Sequence, residues 1–172
     1  MFFNKIKDFW TKKIVNKRML NVKHLPSNNS IKNIGIVFDE SYFLEKDLVI
    51  EELVQKGFHK NNISMLVFKD NIKKTETFTY PVFSYHDLSW IAAFDKKEII
   101  DFIGKDFDLL ISYYDVEKTP LSLVTHLSKA TFKVGFASID KRLNHFMIDT
   151  NAEKHKIFIK ELYKYLKILN KL

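Results

Sequence analysis

Cysteine is absent from all 172 residues. That excludes a disulfide framework, a thiolate zinc site and a cysteine nucleophile. Glycine is scarce, and Gly35, Gly57, Gly104 and Gly135 stand far apart. A phosphate-cradling loop needs glycines directly after a strand so that the backbone can close on the phosphate at a helix N-terminus. The loop after the first apolar run carries Asp39 and Glu40 instead, two charges that repel a phosphate, so a classical nucleotide site is not expected. No apolar run approaches the roughly 20 residues that span a bilayer, and the N-terminus lacks the apolar stretch and cleavage site of a secretory signal. A cytoplasmic protein is the expectation.

What the chain does contain is enough apolar surface for a real core: 46% of residues are hydrophobic and 15% aromatic. The length suits one domain of ordinary size. The net charge of +7 is unevenly placed. Residues 1–24 hold seven basic residues against Asp8, residues 151–172 hold six lysines against two glutamates, and the stretch between is mildly acidic. The basicity is therefore terminal, and a pI near 9.3 overstates the case for a nucleic-acid-binding surface.

Three segments are expected: a basic amphipathic helix over 1–24, a linker over 25–30, and an α/β domain over 31–172. In the first, Phe2, Phe3, Ile6, Phe9, Trp10, Ile14 and Val15 recur at helical spacing with lysines between them. Pro26 and the polar residues around it end the helix. The segment Ile31–Phe38, with its apolar block Ile34, Ile36, Val37 and Phe38, and the segment Ile63–Phe68 read as buried strands flanking a helix over about 41–56 that Gly57 stops, together a βαβ unit. Thr75–Phe83 suggests an edge strand stopped at Pro81, and Tyr85–Trp90 an ordered aromatic loop. Helices follow from an Asp95/Glu98 capping box, from Thr119 as N-cap with Pro120, and from a Thr150/Glu153 capping box. Strands are expected at Phe107–Tyr113, Phe132–Phe136 and His145–Ile148. Alternating strands and helices imply a single three-layer Rossmann-like or flavodoxin-like sandwich of five to six mostly parallel strands, with the N-terminal amphipathic helix as an extra element.

In such folds ligands sit beyond the carboxyl ends of the strands. The residues expected there are Asp39, Ser41, Tyr114, Asp115 and Ser138, a candidate ligand-binding set. Asp39, Glu40 and Asp115 could also gather around magnesium, but a helix cap and solvated acids explain them more simply. Among the six histidines no pair has metal-ligand spacing. His145 with Asp140 or Asp149, or His86 with Asp87, are the acid/base pairs to consider, and no GxSxG elbow accompanies a serine. No catalytic residue, metal or cofactor is expected.

The basic termini carry more signal. Lys156, Lys160, Lys164, Lys167 and Lys171 step by four, four, three and four residues, one stripe along the last helix. Together with Lys5, Lys12, Lys13, Lys17 and Arg18 they are candidates for contact with an anionic surface. The aromatic face of the first helix either lies on an anionic membrane or packs within the protein or an oligomer, and packing is favoured.

Phe107–Asp115, Leu123–Ala130, Phe132–Phe136, Asp140–Asn144 and the Tyr163–Leu172 tail resemble an uncharacterised family of small Bacteroidetes α/β proteins, a domain of unknown function. A fainter likeness, in a strand ending near an acidic residue and a Ser-Lys-Ala entry to a Val-Gly-Phe strand, is to one half of heptosyltransferase-type glycosyltransferases. It implies a nucleotide-sugar-like ligand, although one such half has no interdomain cleft. The leading expectation is a non-enzymatic protein acting through a protein partner or homo-oligomer, with basic terminal helices. The alternatives are a small-molecule-binding or degenerate transferase domain, and association with RNA or the ribosome.

Overall fold

The computed structural model describes residues 2–19, 30–73 and 75–172, with side chains from residue 7 onward. Residues 20–29, which include most of the expected 25–30 linker, and the side chain of Lys5 lie outside the described residues.

Short apolar runs build the centre of a sheet. β1 (Ile34–Asp39), β4 (Leu109–Tyr113) and β5 (Phe132–Phe136) are buried at every position, as strands covered on both faces must be. With β2 (Ile63–Phe68), β3 (Val82–Phe83) and β6 (Phe146–Ile148) they form six strands in the order β3-β2-β1-β4-β5-β6. Every pairing is parallel. The order is that of a Rossmann-type sheet, not of a flavodoxin-type one.

Side chains alternate across a strand, so Ile34, Ile36 and Phe38 face one layer and Val37 faces the other. The first layer is α2 (Lys46–Gln55) and α5 (His155–Ile168), which bury Val49, Leu53, Phe158 and Leu162 on the sheet. The second is α1 (Phe2–Arg18), α3 (Lys97–Gly104) and α4 (Thr119–Leu127), with Val15, Ile99, Phe102 and Val124 inward. On that side a Cβ at Gly135 would lie 2.5 Å from Asn144 Nδ2 and 3.1 Å from Ser112 Cβ. Only glycine leaves room there for the asparagine.

Several element boundaries differ from the sequence expectation. The second helix starts at Lys46 rather than near 41, because the Ser41 N–H is held by Asp39 Oδ1 at 2.9 Å and Ser41 Oγ by the Asp70 N–H at 3.2 Å. These two bonds keep the chain in a turn. The edge strand lies after Pro81, not before it: Val67 N–H donates to Pro81 O and Lys69 N–H to Phe83 O, and proline has no N–H to carry the ladder upstream. The two acidic capping boxes do not form. Lys96 and Lys154 are the N-caps of α3 and α5, with no side-chain cap bond, while a capping box does form between Ser84 and Asp87 in the aromatic loop. The N-cap of α4 is Lys118, one residue before Thr119.

α1 docks on the body through Thr11, Val15 and Met19, all buried at four-residue spacing. The Thr11 hydroxyl donates to Lys7 O at 2.8 Å, so burying it leaves nothing unpaired. Further ties are Lys7 Nζ to Tyr85 O at 3.3 Å, Arg142 Nη2 to Asn16 Oδ1 at 3.2 Å and Lys12 to Glu117 at 3.5 Å. Phe9 and Trp10, expected to pack within the protein or an oligomer, do not pack on the chain's own body and turn outward at 65% and 51% exposure. Among the described residues no helix is long and apolar enough to cross a membrane.

Candidate functional site: a crevice filled by its own ion pairs

From β1 the chain steps outward to β2 and β3, and from β4 it steps the other way to β5 and β6. The connections leaving β1 and β4 therefore part, and a crevice opens at the carboxyl ends of these two strands, where doubly wound sheets take their ligands. Asp39 ends β1, and Lys118 begins α4 from an extended N-cap backbone. The two meet in the crevice.

Lys118 is only 7% exposed. Its Nζ lies 2.9 Å from Asp39 Oδ2 and 3.0 Å from Asp70 Oδ1. Its ammonium also sits over the rings of Tyr42 and Phe68, 4.7 and 4.9 Å from their centroids. Asp39 has its second oxygen on the Ser41 N–H. The position that a glycine-rich fold leaves open for a phosphate is thus occupied by a lysine clamped between two carboxylates and two aromatic rings.

The five residues expected to line one site stand in three places. Asp39 and Ser41 belong to the crevice. Asp115 and Ser138 meet at the carboxyl ends of β4 and β5, where Asp115 Oδ2 accepts the Ala152 N–H at 2.9 Å and Asp115 O accepts the Ser138 hydroxyl at 2.7 Å. These bonds tie the loops after β4, β5 and β6 together. Tyr114 is buried under α4, its hydroxyl 2.8 Å from Thr125 Oγ1. That hydroxyl belongs to a polar seam that runs through Ser112 to Asn144 Oδ1 at 3.0 Å. Burial pushes the Tyr114 phenol well above the usual tyrosine range.

Lys118 and Asp70 were not legible in the sequence as site residues. The only signal was negative: an acidic strand end such as Asp39, once buried, requires a cation from elsewhere. In a chain with so many lysines, nothing local singles out the one that answers.

Beside the crevice, under the chain between β2 and β3, lies a cavity of about 280 Å³. Its charged lining is internally paired: Glu40 with Lys46 and, at 3.8 Å, with Lys69, which also holds Glu76 at 3.3 Å. Among the described residues no group of three His, Cys, Asp or Glu could hold a metal ion. The acid/base pairs considered from the sequence are engaged otherwise. Asp87 accepts the Ser84 N–H at 2.8 Å, Asp140 chelates Arg142, and His145 Nδ1 accepts the Lys133 N–H at 2.9 Å.

The two basic helices lie on opposite faces of the sheet, α1 with α4 and α5 with α2. On α5, Lys164 pairs with Glu161 at 3.2 Å and Lys167 sits over Tyr163, while Lys171, expected in the same helical stripe, lies beyond the helix end at Ile168 and sits over Phe132. Lys156 and Lys160 are exposed. On α1, Lys13 lies 5.5 Å from the Trp10 ring centroid, Lys17 is exposed, and Arg18 Nη1 reaches Ile91 O at 3.4 Å.

Sheet order and crevice together define a Rossmann-type α/β domain whose switch-point crevice is filled by its own side chains. The chain belongs to a family of unknown function (DUF6913), whose model matches residues 7–169. No curated protein and no solved structure matches it.

Proposed function

We propose that the protein acts by contact and not by catalysis, using the outer face of α1 as its docking surface and the α/β body as a rigid platform for it. The observation that carries this is the orientation of α1. Thr11, Val15 and Met19 fix the helix to the body, while Phe9 and Trp10 face outward with Lys13 and Lys17. Large rings held outward on a fixed helix are not required by the core. Exposed apolar surface of this kind marks an interaction site. On this reading the protein works in the cytoplasm, at the inner face of the membrane or on a partner there, and its lack of cysteine suits a reducing compartment.

The test compares the wild type with a Phe9→Ser/Trp10→Ser variant. Both positions are exposed, so thermal stability is expected to change by no more than about 0.5 kcal/mol. The variant should lose whatever association the wild type shows in sedimentation velocity, whether with itself or with lipid vesicles. A wild type that stays monomeric and ignores vesicles overturns the reading.

A nucleotide-sugar ligand is disfavoured by the crevice itself. Its diphosphate would meet Asp39 and Asp70 and would have to displace Lys118 from both. Millimolar UDP-glucose is expected to leave the melting temperature unchanged. A ligand at a hundred times its dissociation constant adds about 2.7 kcal/mol, so a rise of several degrees would reopen the small-molecule reading. RNA association has less support than a planar contact, because the lysines of α1 and α5 do not form one continuous track on one face.

A further inference from the structure

We propose that the surface met by α1 is an anionic lipid surface, and that the turn carrying Trp90 and Ile91 is a second element entering it. This rests on the contact reading above and names the partner.

The turn is built, not loose. Leu88 and Phe94 pair across its base, Ala92 N–H donates to Ser89 O at 3.1 Å, Ser89 N–H to Ala93 O at 2.9 Å, and Ala93 N–H to Ser89 Oγ at 3.0 Å. Ala92 takes φ 54°, the left-handed conformation that lets the chain reverse. Leu88, Ala92 and Phe94 are buried in the core under α1 and α3. Anchored by these residues, the tip holds Trp90 and Ile91 out at 52% and 68% exposure. Turn tips normally carry small polar residues. A tip that spends its hydrogen bonds on holding an indole and an isoleucine outward is shaped to insert them.

The tip adjoins α1, since Arg18 in the last helical turn reaches the Ile91 carbonyl. Along α1 the Phe9 and Trp10 rings stand edge to face at 6.0 Å. Charge on the helix is sorted as well. Asp8, its one acid, lines the small space between α1 and the body with Thr11, Tyr85 and Leu88, whereas Lys12, Lys13, Lys17 and Arg18 are exposed, Lys12 beside Glu117 and Arg18 toward the turn. Rings that can enter the acyl boundary, with ammonium groups that can reach headgroup phosphates, match an anionic bilayer surface. Both elements are convex, a helix ridge and a turn tip. A soft planar surface accepts such shapes, whereas a protein partner must supply a groove for each. The opposite placement of α5 leaves its lysines off a plane that takes α1.

The test uses the full chain with vesicles of phosphatidylcholine alone and of phosphatidylcholine mixed with phosphatidylglycerol. Trp90→Phe leaves Trp10 as the reporter, and Trp10→Phe leaves Trp90. Both single-tryptophan proteins are expected to show a blue-shifted emission with the anionic vesicles only, weakened by salt. Ile91→Asp should partition about tenfold more weakly with an unchanged melting temperature, which separates loss of contact from loss of fold. Equal binding to neutral vesicles overturns the anionic part. A Trp90 that stays in water, with Ile91→Asp binding as the wild type does, overturns the second element. Absence of all vesicle binding overturns the proposal. If self-association lost on Phe9→Ser/Trp10→Ser persists in that last case, the contact reading survives it; if there is no association at all, both fall.

Discussion

Lys118→Ala should destabilise the fold by about 3–5 kcal/mol, the range for breaking a buried pair from one side, read as a fall in the urea midpoint at unchanged slope. Asp39 is buried, and without Lys118 its carboxylate keeps only the Ser41 N–H. Lys118→Met keeps an unbranched side chain of similar length but loses the charge that sits over Tyr42 and Phe68, and should be nearly as damaging. Adding Asp39→Asn to Lys118→Met removes the orphaned charge and should recover part of the loss, so the two substitutions will not add. Asp70 is half-exposed on its side of the clamp, and Asp70→Asn should lose no more than about 1 kcal/mol. A Lys118→Ala loss below about 1 kcal/mol would mean that the crevice is wet and open. The site would then be available to a ligand after all.

Lys133 carries the second large effect, and its sign depends on pH. It lies on β5 with its ammonium under α4, donating to Thr125 O at 2.7 Å and His126 O at 3.2 Å in the last turn of the helix. Burial holds its pKa down to about 8, from 10.5. Between those values the unfolded chain binds more protons than the folded one, so stability rises with pH across the window and the penalty is fully present below about pH 8. A shift of that size corresponds to roughly 3 kcal/mol as a ceiling, reduced by the two carbonyls that favour the ammonium. The stability of the wild type minus that of Lys133→Met, taken by urea unfolding at both ends of the window, should therefore increase with pH. The phenols of Tyr80, Tyr85, Tyr113 and Tyr114, all pushed up chiefly by burial, act in the opposite direction at high pH. They are present in both proteins, so the difference removes them. A flat difference would show that water reaches the Lys133 ammonium.

The legible parts of this protein are those decided over a few residues. Ile34–Asp39, Leu109–Tyr113 and Phe132–Phe136 announce buried strands because both their faces are apolar, and Leu53 or Phe158 announce inward helix faces because their neighbours repeat at helical spacing. Boundaries were less legible where a distant group intervened. Asp70 reaches back to Ser41 and delays α2, and the expected caps of α3 and α5 gave way to lysine N-caps with no side-chain bond. The candidate site was half legible. Asp39 and Ser41 stand at the crevice, whereas Tyr114 turned to the other side of its strand end and entered the core, and Asp115 and Ser138 became braces between loops.

By itself, then, the sequence determined the elements, their alternation and hence a parallel three-layer α/β sandwich, because those follow from the period of the apolar positions. It also determined that charge collects at the two ends of the chain. Only the tertiary structure decided the strand order, the choice of Lys118 from among the lysines to answer Asp39 across 79 positions, and the separation of the two basic helices onto opposite faces. It also decided that α1 docks by Thr11, Val15 and Met19, leaving its rings outside. A helical period defines which residues share a face. What that face meets is settled by the competition of all apolar surfaces for one core, and that competition is not local.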